Sequence, residues 1–180
     1  EFIILEGKVT VRLGWKKPNR PTGSEFDIEP AVILLGADDK VTNSETDLVF
    51  FRQHTYGHNA IQVYSQEVRP DIDKDAPYIT IDFNLLNAAE IRKISIWAFI
   101  NQKEEKRESF GKLYDLSLDV ANNNQRMITV TLPKENYSQT ALMFAEIYRT
   151  GDKNWKFKSG GQGYDQGFRQ LCINCGLDME

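Results

Sequence analysis

Asp71, Asp73 and Asp75 alternate through a stretch that reads DIDKDAP. Three carboxylates at every second position of a turning loop suit a hard divalent cation. Calcium takes roughly 6–8 oxygen ligands, and acidic side chains on a bent loop can supply several. The spacing also imitates the opening of an EF-hand loop, with Asp82 at its twelfth position. That reading fails. Its sixth position is Ala76 where glycine is needed, Pro77 follows, and Asp82 falls in the strand pattern Ile79-Thr80-Ile81-Asp82-Phe83. The competing reading is a solvated acidic turn, since like-charge repulsion in water costs only about 1 kcal/mol or less.

Other reactive side chains group less tellingly. Cys172 and Cys175 form a CxxC, which alone is half a zinc site and lacks the βαβ setting of a thioredoxin-like centre. On a C-terminal helix, positions three apart share a face, so Cys172 packs naturally with Phe168 and Leu171. His54 and His58 form an HxxxH, but Thr55, Tyr56 and Gly57 between them suggest a loop and two surface histidines. The GGQG at 160–163 follows a strand pattern and lacks the Lys-Ser/Thr ending of a phosphate loop, so it reads as a tight turn. The charge run at 103–108 reads as a solvated helical face. No Ser-His-Asp or Cys-His arrangement is present, and nothing singles out a catalytic pair of carboxylates.

The elements that would hold these residues are short apolar runs cut by turns. Residues 8–15 alternate, with Val9, Val11 and Leu13 on one face. Residues 14–24 form a loop broken by Pro18, Pro21 and Gly23. Residues 31–36 are continuously apolar and too short for a helix, and a turn follows at Asp38-Asp39-Lys40. Further strands are expected at 48–51, 60–64, 78–83, 113–120, 127–132 and 140–148, the last also open to a helical reading over 141–146. Residues 94–100 are β-branched and aromatic on both alternating faces, as in a central strand covered on two sides. After a turn at Gly151-Asp152, Trp155 and Phe157 lie two apart and should face one side of a strand, with Lys156 and Lys158 on the other. Helices are expected only at 101–108, 85–90 and 166–175. Many short strands at this spacing argue for an all-β chain: a β-sandwich of two mostly antiparallel sheets with a few short helices.

Composition sets the outer limits. The 180 residues are expected to form one domain, 1–180, with an ordinary apolar fraction of 41% and charged fraction of 27%. A net charge of -4 gives no electrostatic case for nucleic acid. No apolar run approaches the roughly 20 residues of a membrane span. The apolar start at 2–5 has no basic flank and no small-residue cleavage site, so it is not expected to be a signal peptide. Two cysteines do not make a disulfide scaffold, and a cytoplasmic location is expected.

A set of short motifs carries a family resemblance. Residues 148–168, YRTGDKNWKFKSGGQGYDQGF, resemble the closing "YR…W-K-F…GQGY…G" run of the TerD family, the tellurium-resistance and stress-response domain. Leu13-Gly14-Trp15 looks like that family's "LGW". Phe26-Asp27-Ile28-Glu29-Pro30 is similar to its "FDLDA", and residues 34–41, LLGADDKV, to its "LLGADGKV". Thr140-Ala141 followed by Glu146-Ile147-Tyr148-Arg149 resembles "TA…ELYR". The match runs in order over residues 13–176.

The resemblance implies a β-sandwich that binds calcium through a carboxylate cluster. It implies a non-enzymatic role in a tellurium, phage and chemical-stress response, with other proteins of that system as partners, a membrane partner among them. The family's acidic loop runs approximately G-D-N-L-T-G-E-G-x-G-D-D-E. Here its D-N pair is Ser65-Gln66, its glycines are gone, and its D-D-E end is Asp75-Ala76-Pro77. The Asp after "LGW" is Lys16, and Arg69 and Lys74 add positive charge. The loop nevertheless keeps its own acid cluster, Asp71, Asp73 and Asp75, and Asp27 and Glu29 are the expected distant ligands. Ile28 between those two should point inward and the acids outward. Two readings stay open: a weakened calcium-binding or metal-sensing module, and a metal-free protein-interaction adaptor.

Overall fold

Near the start of the chain, apolar residues alternate with polar ones, and that period of two builds the first strands. These are β1 (Ile3–Leu5) and β2 (Lys8–Lys16), where Val9, Val11 and Leu13 are buried. The structure, a computed structural model, describes residues 3–16, 28–43, 46–73, 76–86, 91–100, 114–122, 125–132, 141–149, 154–159, 163–164 and 167–177. Next come β3 (Ile28–Leu35), β4 (Leu48–Val49), β5 (Thr55–Tyr56), β6 (Ile61–Tyr64) and β7 (Tyr78–Asp82). They are followed by β8 (Lys93–Ile100), β9 (Tyr114–Asn122), β10 (Gln125–Thr131), β11 (Ala141–Arg149), β12 (Trp155–Ser159) and β13 (Gly163–Tyr164). One helix closes the described chain, α1 (Gly167–Asn174).

The strands form two sheets. The first runs β1-β12-β11-β8-β3-β4, with β13 added to β11; the second runs β10-β9-β2-β7-β6-β5. Every pairing within them is antiparallel. The main core lies between the sheets. It joins Val9, Val11, Leu13, Ile79 and Ile81 of the second sheet to Val32, Leu34, Ile94, Ile96, Phe144 and Ile147 of the first.

A second core covers the outer face of the first sheet. Ala31, Ile33, Trp97 and Phe99 meet Leu171 and Cys172 of α1 and Leu48. Phe99 stacks on Phe168 with centroids 4.0 Å apart. This explains why β3 and β8 are apolar on both faces: Ile94, Ile96 and Ala98 point between the sheets, while Trp97 and Phe99 point under the helix.

The expected strand at 94–100 is present, and the one expected at 140–148 is β11, residue 140 lying outside the described residues, so the helical reading of 141–146 is not taken up. Trp155 and Phe157 are buried together, Lys156 is half-buried and Lys158 exposed. The helix expected at 166–175 is α1, and residue 166 lies outside the described residues. Residues 83–86 form a turn rather than the start of a helix; 87–90 and the helix expected at 101–108 lie outside the described residues. The expected loop at 55–57 holds the short strand β5, which turns back into β6. Gly57, His58 and Asn59 take positive φ values of 57°, 54° and 65° there, a left-handed path that glycine and asparagine adopt with little strain.

Candidate functional site

The acidic loop joins β6 to β7, two short strands whose Ile61, Val63, Ile79 and Ile81 anchor it to the main core. Its ends are fixed from inside. The Leu13 amide donates to the Pro77 carbonyl at 3.1 Å, and the Val68 and Arg69 amides donate to the Ser65 carbonyl at 3.1 and 2.8 Å. Ser65 is 3% exposed, and its Oγ accepts or donates no hydrogen bond among the described residues. Asp71 and Asp73 are exposed. Arg69 Nη2 lies 3.2 Å from Asp71 Oδ2, so one carboxylate of the loop already has a cation beside it.

Glu29 sits on β3 opposite Phe99 of β8. It lies on the face opposite Ile28, as the period of two requires, but that face is covered and Glu29 is only 1% exposed. A carboxylate this deep must be paired, hydrogen-bonded or bound to a metal to persist as an anion. Asp27 and Asp75 lie outside the described residues, and so does Lys74. Among the described residues, no group of three or more His, Cys, Asp or Glu side chains is gathered closely enough to hold a metal.

The donors of the loop suit calcium in kind. Ser65 Oγ and the carboxylates of Asp71 and Asp73 are all hard oxygens, the Ser65 hydroxyl being buried without a hydrogen-bond partner among the described residues. They suit it less well in charge, because the Arg69 guanidinium opposes a cation.

A second concave region lies on the outer face of the first sheet, beyond the helix. Strand register places Ile33, Ser95, Glu146 and Lys158 in one row, and Leu35, Lys93, Tyr148 and Lys156 in the next. Lys93 Nζ donates to Asp39 Oδ1 at 2.6 Å and stands 2.9 Å from Glu146 Oε1. Burial alone would lower the pKa of Lys93, but the hydrogen bonds and charges of Asp39 and Glu146 outweigh it and raise the value above 10.5.

These three side chains line two hollows. An outer groove of about 1000 Å³ also touches Arg92, Tyr148, Arg149 and Lys158. An inner cleft of about 190 Å³ touches Ile33, Ser95, Trp97, Met143 and Cys175. Sequence reasoning missed this region. The only signal was polar residues interrupting apolar strands at Lys93, Ser95 and Glu146, and their convergence depends on the order of β3, β8 and β11.

Neither cysteine is poised for chemistry. Burial pushes the Cys172 thiol up to about 12, with the neighbouring Cys175 adding to it. Burial also raises Cys175, partly offset by Lys40. Cys172 and Leu171 are both buried in the outer core, and Phe168, one helical turn before Cys172, packs against the same cluster. His54 and His58 are both exposed on the β5–β6 turn and its approach. Among the described residues, no helix is long and apolar enough to cross a membrane.

Two antiparallel sheets packed face to face, with α1 on the outer face of the first, define an all-β sandwich. The chain belongs to the TerD domain family, whose profile matches residues 6–174. It is 26% identical over 172 residues to the tellurium resistance protein TerD of Serratia marcescens, covering 94% of this chain and 88% of that one. General stress protein 16U of Bacillus subtilis (strain 168) is 27% identical over 174 residues, covering 96% and 89%. The crystal structure of a telluride resistance protein homologue from Streptomyces coelicolor A3(2) superposes with a TM-score of 0.68 at 18% identity, covering 92% and 95%. The fold is therefore that of the family, and the named relatives are resistance and stress proteins.

Proposed function

We propose that this chain is a non-enzymatic stress-response module of the tellurium-resistance type whose acidic loop binds calcium weakly. The supporting observation is that the β6–β7 loop carries both a buried Ser65 hydroxyl without a hydrogen-bond partner and two exposed acids, Asp71 and Asp73, the first of them beside Arg69. Ser65, Asp71 and Asp73 would hold the ion, with Glu29, Asp27 and Asp75 as the remaining oxygens. Calcium would supply a positive charge that draws these carboxylates together and orders the loop for a protein partner of the same stress system. Ligand charge and number tune calcium affinity over many decades, and here both are reduced relative to the family loop.

The test is a calcium titration followed by melting temperature and by the amide spectra of residues 65–77. A ligand that binds only the folded state stabilises it by mass action, so millimolar calcium should raise the melting temperature. Asp71→Asn combined with Asp73→Asn should remove the rise and leave the metal-free fold intact. If millimolar calcium changes neither observable, the metal-free adaptor is the correct reading.

A further inference from the structure

We infer that β10 is a self-association edge. Two copies of this chain pair there, antiparallel about a two-fold axis through Val130, and join their second sheets into one. The inference is independent of the calcium loop. Strands β1 and β4 end the first sheet, and β10 and β5 end the second. A free edge is a row of unpaired N–H and C=O groups, and one common protection is to keep the edge strand very short. β1 has 3 residues, and β4 and β5 have 2 each. β10 has 7, QRMITVT, with no proline and no charge beyond Arg126. Among the described residues, its only strand partner is β9.

The hydrogen-bond phase decides which backbone groups are free. The Leu132 amide donates to the Leu116 carbonyl at 2.8 Å, so residues 128, 130 and 132 bond to β9. The N–H and C=O groups of Thr129 and Thr131 therefore point away from the sheet. A register shift between Arg126 and Ile128 bends the strand at one end, and Pro133 follows Leu132 at the other. The regular edge is thus 128–132, and its centre is Val130.

Pairing about that centre sets Thr129 opposite Thr131 of the second copy, Val130 opposite itself, and Ile128 opposite Leu132. Thr129 and Thr131 then exchange their outward hydrogen bonds in both halves. Ile128 and Val130 pack against the main core yet are only half-buried, because the sheet stops at β10. Across the join they gain aliphatic neighbours, and the core runs on from one copy into the next. On the outer face Thr129 meets Thr131, a favourable cross-strand pair. Residues 127–132 carry no charge, so the two-fold axis brings no like charges together there. An interface this small belongs to the weak, transient class, with an expected dissociation constant on the order of 0.1 mM.

Sedimentation equilibrium from roughly 10 μM to 1 mM brackets that value. With a chelator present, the average mass should rise with concentration from monomer towards dimer. Thr131→Pro removes only an outward N–H and so leaves the bonds to β9 in place. It should keep the melting temperature of the dilute protein and weaken association about tenfold or more, since the bonds exchanged at the join are lost.

A second variant reads the register without disturbing the edge. Val130→Cys puts two thiols on the axis, at a separation of about 4.5 Å between Cα atoms that a disulfide accepts. Mild oxidation should give a covalent dimer. Thr129→Cys, whose two copies are offset along the strands, should cross-link at least about fivefold more slowly. The unaltered chain gives the background from Cys172 and Cys175. Monomer mass at every concentration, or equal cross-linking by the two thiol variants, overturns the inference. So does undiminished association by a Thr131→Pro variant that melts normally.

Discussion

Lys93 and Glu146 meet diagonally across the first sheet, 2.9 Å between charged atoms, although neither is the other's register partner. Lys93 faces Tyr148 and Glu146 faces Ser95. The diagonal leaves Lys93 free to hold Asp39 of the turn at the same time. Because the folded pKa of Lys93 is raised above 10.5, the charged form is favoured by folding. Its stabilisation is fully present below the unfolded value and is lost as pH rises through the folded one. The chain should therefore lose stability more steeply above pH 10.5 than a Lys93→Met variant does. Urea unfolding at a series of alkaline pH values measures both slopes, and equal slopes would contradict the assignment.

Trp155 is 4% exposed and packs on Phe83, with ring centroids 5.7 Å apart. It joins β12 to the strand edge at Leu5 and to the main core. Trp155→Ala should cost roughly 3–5 kcal/mol, the range for truncating a large aromatic in a core. A loss below about 1 kcal/mol in denaturant unfolding would show that the ring is not part of the core.

Arg69 and Asp71 form an exposed pair, and exposed pairs contribute little to stability. Arg69→Gln should leave the melting temperature without calcium unchanged. It should tighten calcium about two- to fivefold, since a screened positive charge is removed from the loop. Isothermal calorimetry reads the change directly, and an unchanged or weaker affinity would place the ion elsewhere.

The Cys172 thiol, pushed up to about 12 by burial, carries almost no thiolate at neutral pH. Alkylation by iodoacetamide should be slow in the folded protein and rise sharply in denaturant. Peptide mass spectrometry separates Cys172 from Cys175. Rapid labelling of Cys172 in the native state would show that α1 detaches readily from the sheet.

Much of the framework was legible because strand periodicity is local. Val9, Val11 and Leu13 declared one buried face, and residues 94–100 declared two. The pair Trp155 and Phe157 declared its shared side in the same way. What stayed hidden depends on pairing across long sequence distances. Ile3 to Leu5 is too short to read as a strand and becomes one only against Trp155 to Phe157. Glu29 reads as an outward acid, and nothing local says that α1 and its neighbours cover that face. The convergence of Asp39, Lys93 and Glu146 needs a turn and two strands placed by the sheet order. The acids Asp71 and Asp73 were visible as a cluster, whereas the Arg69 contact that tempers one of them is a matter of side-chain geometry.

The pairing of β1 with β12 sets a condition on biosynthesis. Ile3 finds its partner at Phe157, roughly 150 residues further along the chain. At a ribosomal pace of about 5–20 residues per second, the first strand waits roughly eight to thirty seconds for it. During that interval Ile3, Ile4 and Leu5 are an unpaired apolar segment, and the early sheet has an open edge at which another nascent chain could add. Pairings of this length also slow refolding, because the loop must close before the contact forms. The segment thus stays without its sheet partner until β12 has been made.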